Sequence, residues 1–163
     1  MDNNITSNID LQFYLNLLNI KVTTRSKNDN IFDRVAKNES YIINMSDDNL
    51  PGTHWVSLYI KNNIAIYFDS YGLAPPNDIK RFTHKKKLLY STDMIQNMKS
   101  TACGYFCVYF LFVFNKLDKQ YSTVKQYGYA LNKLLIKFDK NNTEKNDDIL
   151  RREIKKIFTI VRK

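Results

Sequence analysis

The chain has 163 residues, 44% of them hydrophobic and 13% aromatic, and its 25 basic and 16 acidic side chains leave a net charge of +9. That length suits one domain with a real core, and that apolar content excludes a disordered chain. The charge is uneven: residues 115–163 hold 13 basic and 6 acidic side chains, a net of +7, so the C-terminal third presents either a solubilising surface or a face for a polyanion. Residues 1–20 show no basic region ahead of an apolar run, so neither a signal peptide nor a membrane span is expected and the chain reads as intracellular, soluble and monomeric.

Taken in order, residues 7–18 read as an opening helix with Ser7 or Asn8 as cap and Asp10 in its first turn. Residues 21–39 are polar and aperiodic, which predicts an irregular connection with one helical turn near Phe32 to Ala36. Tyr41 to Met45 is a short β-prone run, and Asp47 to Gly52 supplies turn chemistry ending in Pro51-Gly52. Thr53 to Ile60 and Ile64 to Asp69 predict two antiparallel strands joined tightly through Lys61-Asn62-Asn63. Such a hairpin sets the start of its first strand beside the end of its second, so His54 and Asp69 should meet at one end of the sheet.

Ser70 to Ile79, with Gly72 and Pro75-Pro76, predicts a loop leading into a helix near Pro76. His84-Lys85-Lys86-Lys87 is a basic, exposed stretch, Leu88 to Ser91 a strand, and Asp93 to Lys99 carries Gln96 towards Ser100-Thr101-Ala102-Cys103. From Gly104 to Phe114 no charge interrupts the apolar run, which predicts a helix buried on all sides and too short to cross a bilayer. Cys103 falls at its first turn, where free backbone N–H groups and the helix dipole favour a thiolate. Cys107 lies one turn on; two cysteines so placed cannot bridge, and free thiols imply a reducing compartment.

Two amphipathic helices close the chain, one repeating Tyr127, Leu131, Leu134, Leu135 and Phe138, the other Leu150, Ile154, Ile157, Phe158 and Val161, with polar residues 140–148 between them. Docking those apolar stripes turns Lys133, Lys137, Arg151, Arg152, Lys155 and Lys156 outward. The fold class expected is α+β: a small mixed sheet against a central buried helix, with flanking helices, in a single domain spanning residues 1–163.

Acyl transfer through a thiol needs a nucleophile, an imidazole, a group orienting the imidazole, and donors for the oxyanion. Cys103, His54, Asp69 and Gln96 supply one of each. A lone cysteine in an apolar helix ordinarily packs as a small hydrophobe, so it is the ordered set that points to chemistry. Gly52-Thr53-His54-Trp55, then Tyr67-Phe68-Asp69-Ser70-Tyr71-Gly72 with Pro75-Pro76, then Gln96 seven residues before Cys103-Gly104-Tyr105-Phe106-Cys107, resembles the adenovirus-type cysteine proteinase (adenain) signature. More broadly the set is similar to the ubiquitin-like-protein proteases of the same clan, and in form it looks closest to the capsid-maturation proteases of virophages and polinton-like elements.

The resemblance spans about residues 40–115 and implies a Cys103-His54-Asp69 triad with Gln96 as oxyanion donor and Trp55 packed at the substrate side of the centre. It implies a viral endopeptidase that cleaves capsid or virion precursors at Gly-containing sites in the infected cell's cytoplasm or virus factory and in the virion. No cofactor is required on that reading, with non-specific DNA as an optional activator gripped by the six basic residues above. Asp69 follows the habit of the ubiquitin-like-protein proteases, where adenain has Glu, which keeps removal of a ubiquitin-like modifier as the alternative activity. A non-catalytic nucleic-acid-binding module would explain the basic third but not the ordered His, Asp, Gln and Cys. Zinc held by His54, His84, Cys103 and Cys107 matches no known ligand spacing, so no metal is expected.

Overall fold

The computed structural model describes residues 7–26, 37–45 and 54–161. Its elements run α1 (Asn8–Leu17), β1 (Val22–Ser26), β2 (Ser40–Asn44), β3 (Trp55–Lys61), β4 (Ile64–Phe68), α2 (Asn77–Phe82), β5 (Lys87–Tyr90), α3 (Cys103–Leu117), α4 (Val124–Leu135) and α5 (Asn146–Val161). The protein is α+β, with the strands forming one mixed sheet in the order β1-β2-β3-β4-β5. The β2-β3 and β3-β4 pairs are antiparallel, and the outer pairs β1-β2 and β4-β5 are parallel.

The hairpin forms where apolar strand-forming residues flank a two-residue turn. Lys61 pairs with Ile64, and Asn62 takes the left-handed backbone, φ 52°, that the turn demands and asparagine tolerates. Every residue from Trp55 to Ile60 and from Ile64 to Phe68 is buried, so both faces of this hairpin are covered and alternation is absent. One face carries Ile42, Trp55, Tyr59, Ile64, Ile66 and Phe68 into the main core with α3. The other sets Tyr41, Ile43, Val56, Leu58 and Tyr67 against Ile79 and Phe82 of α2.

α3 crosses the first face, wrapped by α1, α4 and α5, as its unbroken apolar sequence requires. Phe68 of β4 stacks on Phe110 at 4.8 Å with the rings 6° apart, and Phe110 leans on Phe114 at 4.5 Å. Those contacts fix where α3 lies along the hairpin, and removing a buried phenyl of this kind costs about 3–5 kcal/mol. They therefore also fix where its first residue, Cys103, meets the strand ends.

Two expectations are corrected. Residues 22–26, expected within an irregular connection, form strand β1, because pairing with β2 from Val22↔Ser40 to Ser26↔Asn44 supplies an order that one apolar residue in five does not announce. Residues 140–148 are not simply a joining segment: a short 3-10 turn at Thr143–Lys145 runs into α5, which begins at Asn146. The helical turn expected near Phe32 to Ala36 and the turn expected at Asp47 to Gly52 lie outside the described residues. No described helix is long and apolar enough to cross a membrane.

Candidate active site

His54 immediately precedes β3, and Asp69 immediately follows β4. The ladder pairs Ser57 with Phe68, and continuing that register sets position 54 opposite position 71. The geometry agrees: the His54 ring stacks on Tyr71 with centroids 4.7 Å apart, and its Nε2 lies 3.0 Å from Asp69 Oδ1. Asp69 is all but sealed from solvent, its side chain 2% exposed against 15% for His54. Its Oδ1 also accepts the Tyr71 backbone N–H at 2.8 Å, an Asx turn that stops the carboxylate from rotating away.

Nε2 is taken by Asp69, while Nδ1 is buried and makes no hydrogen bond; the Cys103 thiol is the other group that interacts with this ring. Burial disfavours an imidazolium here, but hydrogen bonding to Asp69 and to Cys103, with the charges of both, outweighs it and lifts the His54 pKa from 6.5 to about 9. A pKa near 9 leaves His54 protonated at neutral pH, its positive charge beside the Asp69 carboxylate. Cys103 and Cys107 are both free and buried, but burial drives the Cys107 thiol well above its ordinary pKa and leaves it inert.

Gln96 is fully buried, and its amide orientation is set by its partners. Oε1 accepts from Ser70 Oγ at 2.6 Å, while Nε2 donates to the Ser100 carbonyl at 2.9 Å and to the Tyr71 hydroxyl at 3.2 Å. A carbonyl can only accept, so the nitrogen must face Ser100. The backbone is tied as well, since the Ile95 and Gln96 amides both donate to the Ser70 carbonyl, at 2.9 and 3.0 Å. Gly72 completes this seam: at φ +71° it occupies the left-handed region, and a Cβ there would lie 2.6 Å from the Thr92 carbonyl oxygen. Gln96 therefore rides on the same turn that holds Asp69.

The structure thus brings His54, Asp69, Gln96 and Cys103 to one end of the sheet. Trp55 is 3% exposed and packs in the same core as Cys103, so it backs the centre from inside and offers little surface to a substrate. His84 is elsewhere, exposed after α2 with Nδ1 2.7 Å from the Arg81 carbonyl. No group of three metal-binding side chains occurs among the described residues. Ser70 and Tyr71 carry no role in the sequence motif, because their bonds to Gln96 span 26 and 25 positions and leave no local signal.

The six basic residues are all exposed, but not all free. Lys137 and Lys156 both bond to Glu153, at 2.8 and 2.6 Å, and Arg151 lies 3.7 Å from Asp148. Lys133, Arg152 and Lys155 make no ion pair among the described residues.

No family model and no curated protein matches this chain.

Proposed function

We propose that the protein is a cysteine endopeptidase acting through Cys103, His54 and Asp69, with Gln96 and the Cys103 backbone amide as oxyanion donors. The observation that carries this reading is His54: one nitrogen bonded to a buried carboxylate, the other buried without a hydrogen bond, and a pKa raised to about 9 by Asp69 and by Cys103, the first residue of α3. Structural histidines seldom combine a buried charge with a neighbouring nucleophile.

The Cys103 thiolate attacks the scissile carbonyl carbon, and the displaced electron pair becomes an oxyanion. As first residue of α3, Cys103 has a backbone N–H with no acceptor inside the helix, and that N–H is the first oxyanion donor. Gln96 Nε2 is the second; both its hydrogens are engaged, so the longer bond, to Tyr71, is the one it gives up. His54 passes its proton to the departing amine, and the thioester is then hydrolysed by water that returns a proton to His54. Asp69 keeps the ring in place throughout.

Substrate class rests on the resemblance: capsid or virion precursors cut at Gly-containing sites, with DNA as an optional activator. Cys103 at 5% exposure and His54 at 15% support a narrow approach that favours glycine beside the cut bond. A glycine-ending peptide carrying a thiol-trapping group tests the reading, with the adduct located by mass spectrometry and cleavage profiled on a peptide library. Labelling confined to Cys103 with cleavage next to glycine is expected. An unlabelled Cys103 and an uncut library would overturn it, and cleavage only after a Gly-Gly-ended modifier would reassign the substrate to a ubiquitin-like protein.

A further inference from the structure

Between β5 and α3, residues 91–102 adopt neither helix nor strand. This stretch carries Gln96 and delivers Cys103, yet no backbone ladder holds it. An oxyanion donor must be fixed before the reaction to be worth its place, because a misplacement of about 1 Å costs about a hundredfold in rate. The Ser70 carbonyl ties the Ile95 and Gln96 amides from one side, and the rest of the segment needs holding from the other.

A second restraint comes from the chain leading into α5 and from the first turn of α5 itself. Asn146 is fully buried, and its Nδ2 donates to the Ile95 carbonyl and to the Asp139 carbonyl, both at 2.8 Å, while its Oδ1 accepts the Asp139 amide at 2.9 Å. Asp147 Oδ1 accepts from Ser100 Oγ at 2.9 Å. Lys140 pairs with Asp93 at 2.6 Å, and Asn97 reaches Thr143 at 3.4 Å. The ties fall at positions 93, 95, 97 and 100, on both sides of Gln96.

Ser100 passes the restraint on. Its carbonyl receives Gln96 Nε2, and its hydroxyl, held by Asp147, accepts the Ala102 N–H at 3.1 Å immediately before Cys103. One serine therefore joins both oxyanion donors to the first turn of α5. Resting on the protease reading, we propose that Asn146 and Asp147 are positioning residues of the oxyanion hole. Asn146 holds the backbone under Gln96 through Ile95, and Asp147 holds the turn into Cys103 through Ser100. Neither bonds to His54 or to Asp69, so their loss disorganises oxyanion stabilisation while leaving the thiol activated.

The test uses Asp147→Ala, Asp147→Asn and Asn146→Ala in the full chain, with three readouts: peptidase kinetics, the rate of Cys103 alkylation by iodoacetamide, and hydrogen exchange over residues 93–102. Alkylation needs the thiolate but develops no oxyanion, which separates the two halves of the site. Asp147→Ala is expected to lower kcat about tenfold to a hundredfold with KM and alkylation within about twofold, and to speed exchange across 93–102 but not in β3 and β4. Asp147→Asn keeps an acceptor for Ser100 and is expected to recover most of the loss. Asn146→Ala removes the partner of the buried Ile95 carbonyl and of the Asp139 carbonyl and amide, and should show the larger exchange effect. Unchanged kcat and unchanged exchange in both alanine variants, or alkylation falling in step with kcat, overturns the proposal. Wild-type protein that cut no peptide would sink the protease reading alone, and the exchange data would still decide whether Asn146 and Asp147 hold the Gln96 segment.

Discussion

The Tyr71 ring lies over the His54 imidazole at 4.7 Å, and its hydroxyl accepts a hydrogen bond from Gln96 Nε2 at 3.2 Å. One side chain thus covers the proposed base and occupies the proposed oxyanion donor. A phenyl face over an imidazolium is attractive, so the stacking also suits the protonated His54.

Those two roles separate on substitution. Tyr71→Phe keeps the ring and frees a Gln96 hydrogen, sparing the transition state the loss of a bond worth about 1 kcal/mol, so kcat should hold or rise by up to about fivefold. Tyr71→Ala removes the cover from His54 and should lower kcat/KM about tenfold. Steady-state kinetics on one peptide decide it, and equal losses in both variants would mean that the hydroxyl serves catalysis instead of blocking it.

The two cysteines are expected to part company. Cys103→Ala should abolish turnover and labelling while leaving the melting curve near that of the wild type. Cys107→Ala, at a fully buried position whose thiol is held neutral, should retain activity and lose about 1 kcal/mol of stability by urea denaturation. A folded but inactive Cys107 variant would move the nucleophile by one helical turn.

The charge on His54 has a pH signature. A histidine whose folded pKa is raised contributes stability that is complete below its unfolded value of 6.5, fades as pH rises, and is gone above about 9. Catalysis shares the upper limit, since the amine leaves with the His54 proton, and the alkaline limb of kcat should fall near 9. Asp69→Asn withdraws the hydrogen bond and charge that oppose desolvation. The limb should move down by about one to two units and kcat should drop by about a hundredfold or more. Urea midpoints at about pH 6 and about pH 10 should differ less in Asp69→Asn than in the wild type; an unmoved limb would separate Asp69 from the protonation of His54.

The hairpin and α3 were legible because uninterrupted apolar runs bounded by turn residues leave few alternatives, and hairpin geometry then forces His54 and Asp69 together. β1 was not, because Val22-Thr-Thr-Arg-Ser owes its order to β2; the three consecutive β-branched residues Val22, Thr23 and Thr24 were the local hint. The proposed nucleophile and base could be named from residue type and order alone. What holds Gln96 could not: Ser70, Tyr71, Ser100 and Asn146 are ordinary polar residues whose function lies in partners that only the folded chain supplies. Asn146 in particular sits among lysines, asparagines and aspartates that read as a solvated joint, yet it is fully buried.

Glu153 provides the sharpest test of the basic face. Hydrogen bonds from Lys137 and then Lys156 bring its carboxyl down to about 2, and Tyr109 adds a bond at 3.2 Å. At neutral pH its single negative charge engages two of the six cations that the DNA reading needs, and with Arg151 beside Asp148, Lys133, Arg152 and Lys155 are the ones left to meet phosphates. Glu153→Gln should release Lys137 and Lys156, strengthening duplex binding and steepening its dependence on log salt by up to about 2. Neutralising Lys133, Arg152 and Lys155 together should flatten that slope by up to about 3, with little difference between DNA sequences. Fluorescence anisotropy across a salt series measures both, alongside peptidase rate with and without DNA. Affinity that ignores salt and is indifferent to all four positions would leave the +7 of residues 115–163 as a solubilising surface, with the charge at Glu153 serving only to pin α5 to Lys137 and Tyr109.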